Sequence, residues 1–308
     1  MAYDLIIIGG GPAGVAAGVY AARKKIKTLL ITENFGGQSI VSADIQNWIG
    51  IKSISGMELA KNLEEHLRAQ EGIEITEGEL TAKVSKIDDG FQVETKSGKS
   101  FDTKTVLVTS GSRRRRLGVP GEDKFDGRGV AYCSICDAPV FKDKDVAVVG
   151  SGNAGLEAVV DLLPYATRIY LLVRGGVLKG DAVTQERIKN DPKTQIIFGA
   201  ETQEIVGDKF VTTLRYKDSV SGAVKELSVQ GVFVEIGIVP NSESVKDLVQ
   251  TSQSNEIVVD PRTQRASMEG IWAAGDVTDS PYRQNNISAG EAIKAVLNIY
   301  DYLNKLRN

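Results

Sequence analysis

Cysteine is almost missing from this 308-residue chain: Cys133 and Cys136 are the only two. With no third cysteine to pair with either, a lone close pair in a reducing compartment points to catalysis or metal binding rather than to a structural staple. Histidine is scarcer still. The single one, His66, falls in a polar stretch with a helical pattern, far along the chain from the cysteines. A four-ligand zinc site would therefore need unusual partners, and no metal is expected. No apolar run approaches the roughly 20 residues of a membrane span. The start of the chain lacks the basic region and long apolar stretch of a signal peptide. Basic excess is absent too: the net charge is −3 and the pI near 5.5, the opposite of a nucleic-acid footprint. These absences predict a soluble cytoplasmic protein with neither membrane nor nucleic acid among its partners.

What is present is glycine in pattern. Residues 3–8 form a short branched apolar run suited to a buried parallel strand. Gly9-Gly10-Gly11-Pro12-Ala13-Gly14 follows, then a small-residue helix over 15–23 and a second strand over 28–31. Strand, tight turn, helix and strand within about 30 residues form the context that gives a glycine motif its meaning. Gly9 permits the turn, Gly11 lets backbone N–H groups approach a pyrophosphate, and Gly14 lets helix pack on strand. Glu33 stands at the spacing of an acidic ribose partner, with Asn34 beside it.

The same unit returns about 140 residues later. Residues 145–149 predict a strand, Gly150-Ser151-Gly152-Asn153-Ala154-Gly155 the turn, and Leu156, Val159, Val160, Leu162 and Leu163 a helix face. The next strand, 168–173, ends at Arg174 and leads to Lys179 with no acidic residue between. A 2′-phosphate favours cations at this place, so NADPH is the expected nucleotide and NADH the alternative. The Cys133-Ser134-Ile135-Cys136-Asp137 motif lies between the two fingerprints. Together they predict two-electron transfer from a dinucleotide to a disulfide.

In this order, the motifs resemble the low-molecular-weight thioredoxin reductase family and the reductase portion of the alkyl hydroperoxide reductase flavoprotein. The likeness covers essentially the whole chain. Its further markers are Gly36-Gly37-Gln38, Asn47-Trp48-Ile49-Gly50, Phe233 to Gly237 with Pro240-Asn241, Ala274-Gly275-Asp276 and Tyr282-Arg283-Gln284. The resemblance implies an α/β protein of two Rossmann-like dinucleotide-binding domains, the second inserted in the first. The FAD-binding domain would comprise 1–112 and 242–308, and the NAD(P)H-binding domain with the redox disulfide 113–241. Gly37, Gln38, Asn47, Gly111, Asp276, Arg283 and Gln284 would surround FAD, with Asp276 also readable as a helix N-cap. Electrons would pass from NAD(P)H through FAD to Cys133–Cys136, with Cys136 facing the flavin and Cys133 attacking the partner. Asp137 would be the acid/base, unless it caps the following turn. The crossovers near Gly111 and Gly237 would let the inserted domain rotate.

The implied partner is thioredoxin or a thioredoxin-like protein, and the implied assembly a homodimer. Without the long N-terminal extension of the hydroperoxide-linked flavoprotein, the chain is expected to use a separate electron acceptor. Departures from the family pattern fall on nucleotide choice: Val173 and Gly175 replace a His and an Arg, and Gly155 matches the NADH-using relatives. The run Arg113-Arg114-Arg115-Arg116 is either a docking surface for an acidic partner, with Arg128, or a solvated face. Two competing functions remain to be separated: an NAD(P)H oxidase, and a flavin-binding redox sensor.

Overall fold

The computed structural model describes residues 3–42 and 45–307. The chain divides into two compact units: Met1–Arg113 with Val239–Asn308, and Arg114–Ile238. Each is built on a parallel sheet.

In the first unit the parallel order is Ile73–Glu77, Thr28–Phe35, Tyr3–Gly10, Ser100–Val108. Strand alternation sorts the side chains of Tyr3–Gly10 onto two faces. Leu5 and Ile7 join the helices Pro12–Arg23 and Asn285–Arg307 on one side. Ile6 and Ile8 pack with Phe91, Val93 and Val84 of an antiparallel hairpin on the other. Both faces are therefore covered, which is why these strands read as unbroken apolar runs. Ser100–Val108 is shared: its first half pairs antiparallel with Gly90–Thr95 and its last three residues pair parallel with Ile271–Ala273. That late strand brings the C-terminal segment into the sheet begun at the N-terminus.

Helix Gly56–Arg68 shows how local chemistry sets an element. Ser55 accepts a 3.2 Å hydrogen bond from the Glu58 N–H, with the spacing of a capping box. Leu59, Leu63 and Leu67 recur every four residues on its inner face. His66 lies on the exposed side of this helix, a surface residue as its polar setting predicted.

The second unit has five parallel strands ordered Thr194–Phe198, Arg168–Val173, Asp145–Val149, Gly231–Val234, Val130–Ala131. An antiparallel sheet of Ala200–Gly207, Val211–Asp218 and Val224–Ser228 covers one face, and helix Asn153–Leu162 the other. The fold is thus α/β with two Rossmann-type units, the second interrupting the first. At the crossovers, the Asn241 N–H donates to Gly111 O (2.9 Å) and the Arg115 N–H to Gly237 O (3.0 Å). Gly111 and Gly237 both take positive φ, +66° and +96°. No helix among the described residues is long and apolar enough to cross a membrane.

Candidate functional site

The first glycine turn is built so that no side chain fits its bend. A Cβ on Gly14 would stand 1.8 Å from Gly9 O, and one on Gly9 would stand 2.4 Å from Thr109 O. Gly11 differs, since its nearest outside atom is Gly37 Cα at 3.9 Å. Its extended backbone begins helix Pro12–Arg23 with no side-chain cap and no acid in the first turn. The N–H groups there are left to an anion, and the helix dipole adds partial positive charge. Helices Gly56–Arg68 and Ala182–Lys189 are instead capped by Ser55 and Asp181.

This turn opens onto a cavity of about 800 Å³, within the range of small-molecule sites. Gly9, Gly11, Pro12, Ala13, Glu33, Asn34, Gly37, Gln38, Gly111 and Asp276 all line it. Gln38 Nε2 donates to Ser112 Oγ at 3.0 Å, fixing one wall. Gly14 lies behind the turn as a packing residue. Asn47 and Gln284 bond to each other at 3.1 Å rather than lining the cavity. Arg283 is also outside the lining, where its guanidinium pairs with Glu256. No helix starts at Asp276: residues 275–277 turn, and the next helix begins at Asn285. The N-cap reading of Asp276 is thereby corrected. Thr109, Ser112, Asn241 and Asn285 also line the cavity; Asn241 belongs to the Pro240-Asn241 marker, whereas Ser112 carried no signal in the sequence. They sit on crossovers and helix starts, where only the fold gives them a place.

The second turn repeats the geometry. A Cβ on Gly155 would meet Gly150 O at 2.5 Å, and one on Gly150 would meet Glu235 O at 2.1 Å. Gly152 has nothing within 4 Å and starts helix Asn153–Leu162 uncapped. Asn153 Oδ1 accepts from the Asp181 N–H (2.8 Å) and Ser151 O from the Lys179 N–H (2.7 Å), folding the 174–181 loop against the turn. Ala154, Arg174 and Lys179 are exposed.

Cys133 precedes a single helical turn, Ser134–Asp137, and is disulfide-bonded. The pairing with Cys136 that the family resemblance implies falls on a side chain outside those described. Asp137 makes no side-chain cap, which corrects that alternative. Its carboxyl is half-buried, and burial pushes it up to about 6. Ser134 Oγ donates to Asp161 Oδ2 at 2.7 Å. Glu235 is 8% exposed, and burial pushes it up to about 7. The sequence offered one signal for it: a charged residue ending an apolar run of strand residues.

A family model for pyridine nucleotide-disulphide oxidoreductases matches residues 3–294. An NADH dehydrogenase of Bacillus subtilis is 41% identical over 98% of this chain and 58% of its own length. An alkyl hydroperoxide reductase component of Pseudomonas aeruginosa is 42% identical over 98% of this chain and 58% of its own. The chain thus spans under two thirds of these curated relatives. A thioredoxin reductase structure from Streptococcus pyogenes superposes with a TM-score of 0.82 at 34% identity, covering 98% of both chains.

Proposed function

We propose, from the premise that the chain belongs to the pyridine nucleotide-disulphide oxidoreductase family, that it reduces the disulfide of thioredoxin or a thioredoxin-like protein with NADPH as donor. In this reading the 800 Å³ cavity holds FAD: its uncapped helix start receives the pyrophosphate and Glu33 the ribose. Bound FAD supplies the link between a hydride donor and a two-electron disulfide acceptor. The overall balance is NAD(P)H + H⁺ + disulfide giving NAD(P)⁺ + two thiols.

The observation that carries this reading is the disulfide-bonded Cys133 close in sequence to a half-buried Asp137 whose carboxyl is raised toward neutrality. Disulfide exchange releases a thiolate that needs a proton, and a carboxyl near 6 both holds and releases one at working pH. The second turn would bind the nucleotide through the Gly152 helix start, with Arg174 and Lys179 beside the ribose. The name of the Bacillus subtilis relative, an NADH dehydrogenase, supports NADH as a second donor.

The test is an anaerobic titration of the flavoprotein with NADPH and NADH, followed by addition of oxidised thioredoxin. Flavin bleaching by NADPH and recovery with thioredoxin are expected. Cys136→Ser should still bleach but no longer reduce thioredoxin. Full oxygen consumption without any disulfide reduction would make the protein an oxidase, and no bleaching by either nucleotide would reject the donor.

A further inference from the structure

Both chain neighbours of Cys133 are tied down by their hydroxyls. The cysteine follows Val130–Ala131, the edge strand of the parallel sheet in the second unit, and its neighbours part to opposite faces of that sheet. Tyr132 packs against the cluster of Phe125, Val130 and Leu214, and its hydroxyl donates to Glu122 Oε1 at 2.9 Å. Glu122 is 2% exposed and also accepts the N–H groups of Leu117 (2.9 Å) and Gly118 (2.8 Å). A buried carboxylate so fully bonded is a firm anchor. Arg116 Nη1 donates to the same phenol oxygen at 2.9 Å. Ser134 is buried and turns the other way. Its Oγ donates to Asp161 Oδ2 at 2.7 Å, on helix Asn153–Leu162, whose Leu156 and Val159 fill the opposite core. A hydroxyl on a carboxylate at that length belongs to the stronger hydrogen bonds.

We propose that Tyr132 and Ser134, through Glu122 and Asp161, are positioning residues that fix Cys133 in place and thereby hold its disulfide against reduction. This inference rests on the proposed disulfide-reductase function and deepens it.

A disulfide accepts only a narrow spread of Cα separations, about 4.4–6.8 Å. With Cys133 anchored on both sides, its sulfur stays within that reach after the bond is cut, and re-closure costs less chain entropy than in a free turn. The coupling is reciprocal. The closed disulfide orders the turn that the two hydroxyls need, so the tethers form at lower cost in the oxidised protein and stabilise that form. Ile135, the next residue of the turn, is 72% exposed, so the restraint falls on the Cys133 side. In exchange with glutathione, one S–S bond breaks in the protein and one forms between two glutathiones. Their two thiol protons pass to the protein sulfurs, and the tethers act on the position of that equilibrium.

The test is the equilibrium constant of the holoprotein disulfide in glutathione buffers of graded ratio, read by thiol alkylation and mass. Ser134→Ala and Asp161→Ala should each move the constant toward the dithiol about 3- to 10-fold, the worth of one hydrogen bond. That is roughly 14 to 30 mV at about 30 mV per tenfold. Tyr132→Phe, which keeps the ring, should move it about 2- to 5-fold in the same direction. Ser134→Ala with Asp161→Ala should equal one change alone, whereas Ser134→Ala with Tyr132→Phe should multiply. Asp161→Asn keeps an acceptor oxygen and should return within about twofold of wild type. A merely structural role would lower the unfolding midpoints of the oxidised and reduced proteins alike and leave the constant unmoved. An unmoved constant in Ser134→Ala and Tyr132→Phe would overturn the inference, and so would full additivity of Ser134→Ala with Asp161→Ala. Those two variants, small and near-isosteric, decide the matter even if Asp161→Ala fails to fold. The measurement needs neither nucleotide nor partner. An unmoved constant beside intact NADPH-driven reduction sinks only the tethers, while the expected shifts without turnover sink only the functional reading.

Discussion

The two glycine turns share a division of labour and differ in enclosure. In each, one pair of glycines serves the bend (Gly9 with Gly14, Gly150 with Gly155) and one serves the open space above a helix start, Gly11 or Gly152. The position after the first glycine separates them. At Gly10 a Cβ would meet Thr32 Oγ1 at 2.6 Å, and Gly36 donates to its carbonyl. The second turn carries Ser151 there, and what binds its carbonyl is the backbone of an exposed loop at Lys179. A walled turn over a cavity suits a ligand that stays, whereas an open turn beside an exposed loop suits one that exchanges.

Substitution at the glycines tests that comparison most severely. Gly14→Ala puts a methyl 1.8 Å from backbone that has nowhere to move. It should cost on the order of 3 kcal/mol and release flavin, read as absorbance retained through gel filtration. Gly155→Ala, with its 2.5 Å approach, should cost less. Gly152→Ala should leave the melting temperature unchanged and weaken only nucleotide binding. Equal destabilisation by Gly14→Ala and Gly152→Ala would erase the distinction between glycine kept for the fold and glycine kept for a ligand.

Much of this was legible because glycine motifs are local. The strand predicted over 145–149 is the observed Asp145–Val149, and 168–173 is Arg168–Val173. The first helix begins at Pro12 rather than 15, because proline at its N-terminus and an uncapped Gly11 let it start inside the motif. Contacts between residues distant in sequence were not legible. Nothing in the spacing tells that Ser134 bonds Asp161, 27 positions later, or that Asn47 meets Gln284. Parallel strand order decides such pairs, and it is written in no single segment.

The units also treat buried acids oppositely. Glu79 of the first unit and Glu235 of the second are each 8% exposed. Lys99 and Ser97 bond to Glu79 and hold its carboxyl below the usual range, whereas burial raises Glu235 to about 7. The pH signs therefore oppose. Glu79 contributes stability above its unfolded pKa and loses it as pH falls. Glu235 keeps a proton in the folded chain that the unfolded chain has lost, so stability falls as pH rises from about 4.5 through about 7. Glu235→Gln should gain on the order of 2 kcal/mol at pH 8 and nothing at pH 4, measured by urea unfolding. Lys99→Met should lower stability at pH 7 and lose that effect in acid. The same pH response in both variants would break the contrast.

A smaller effect is expected where the two second strands end. The first carries Glu33 and the second is followed by Arg174, both exposed. If Arg174 meets a 2′-phosphate, Arg174→Ala should raise the KM for NADPH about 5- to 10-fold, roughly 1 kcal/mol, and leave NADH unchanged. An equal change with both nucleotides would place Arg174 on a shared part of the ligand.

The smallest effects belong to the arginine run, which the unit boundary cuts between Arg113 and Arg114. Arg113 bonds Asn241 (2.6 Å) and Glu243 (2.7 Å) within the first unit. Arg114 faces Glu235, and Arg116 reaches Asp123 and Tyr132, each at 2.9 Å, within the second. Arg113 and Arg116 therefore tie their segments each to its own unit, while among the described residues Arg115 has no side-chain partner. The run thus reads as two anchors rather than one docking patch. Arg116→Ala should cost about 1 kcal/mol and Arg113→Ala about half that, as exposed ion pairs do. Arg115→Ala should leave stability alone and change the salt dependence of partner reduction by less than about twofold. A larger salt effect from Arg115 than from either neighbour would return the run to the partner and take it from the fold.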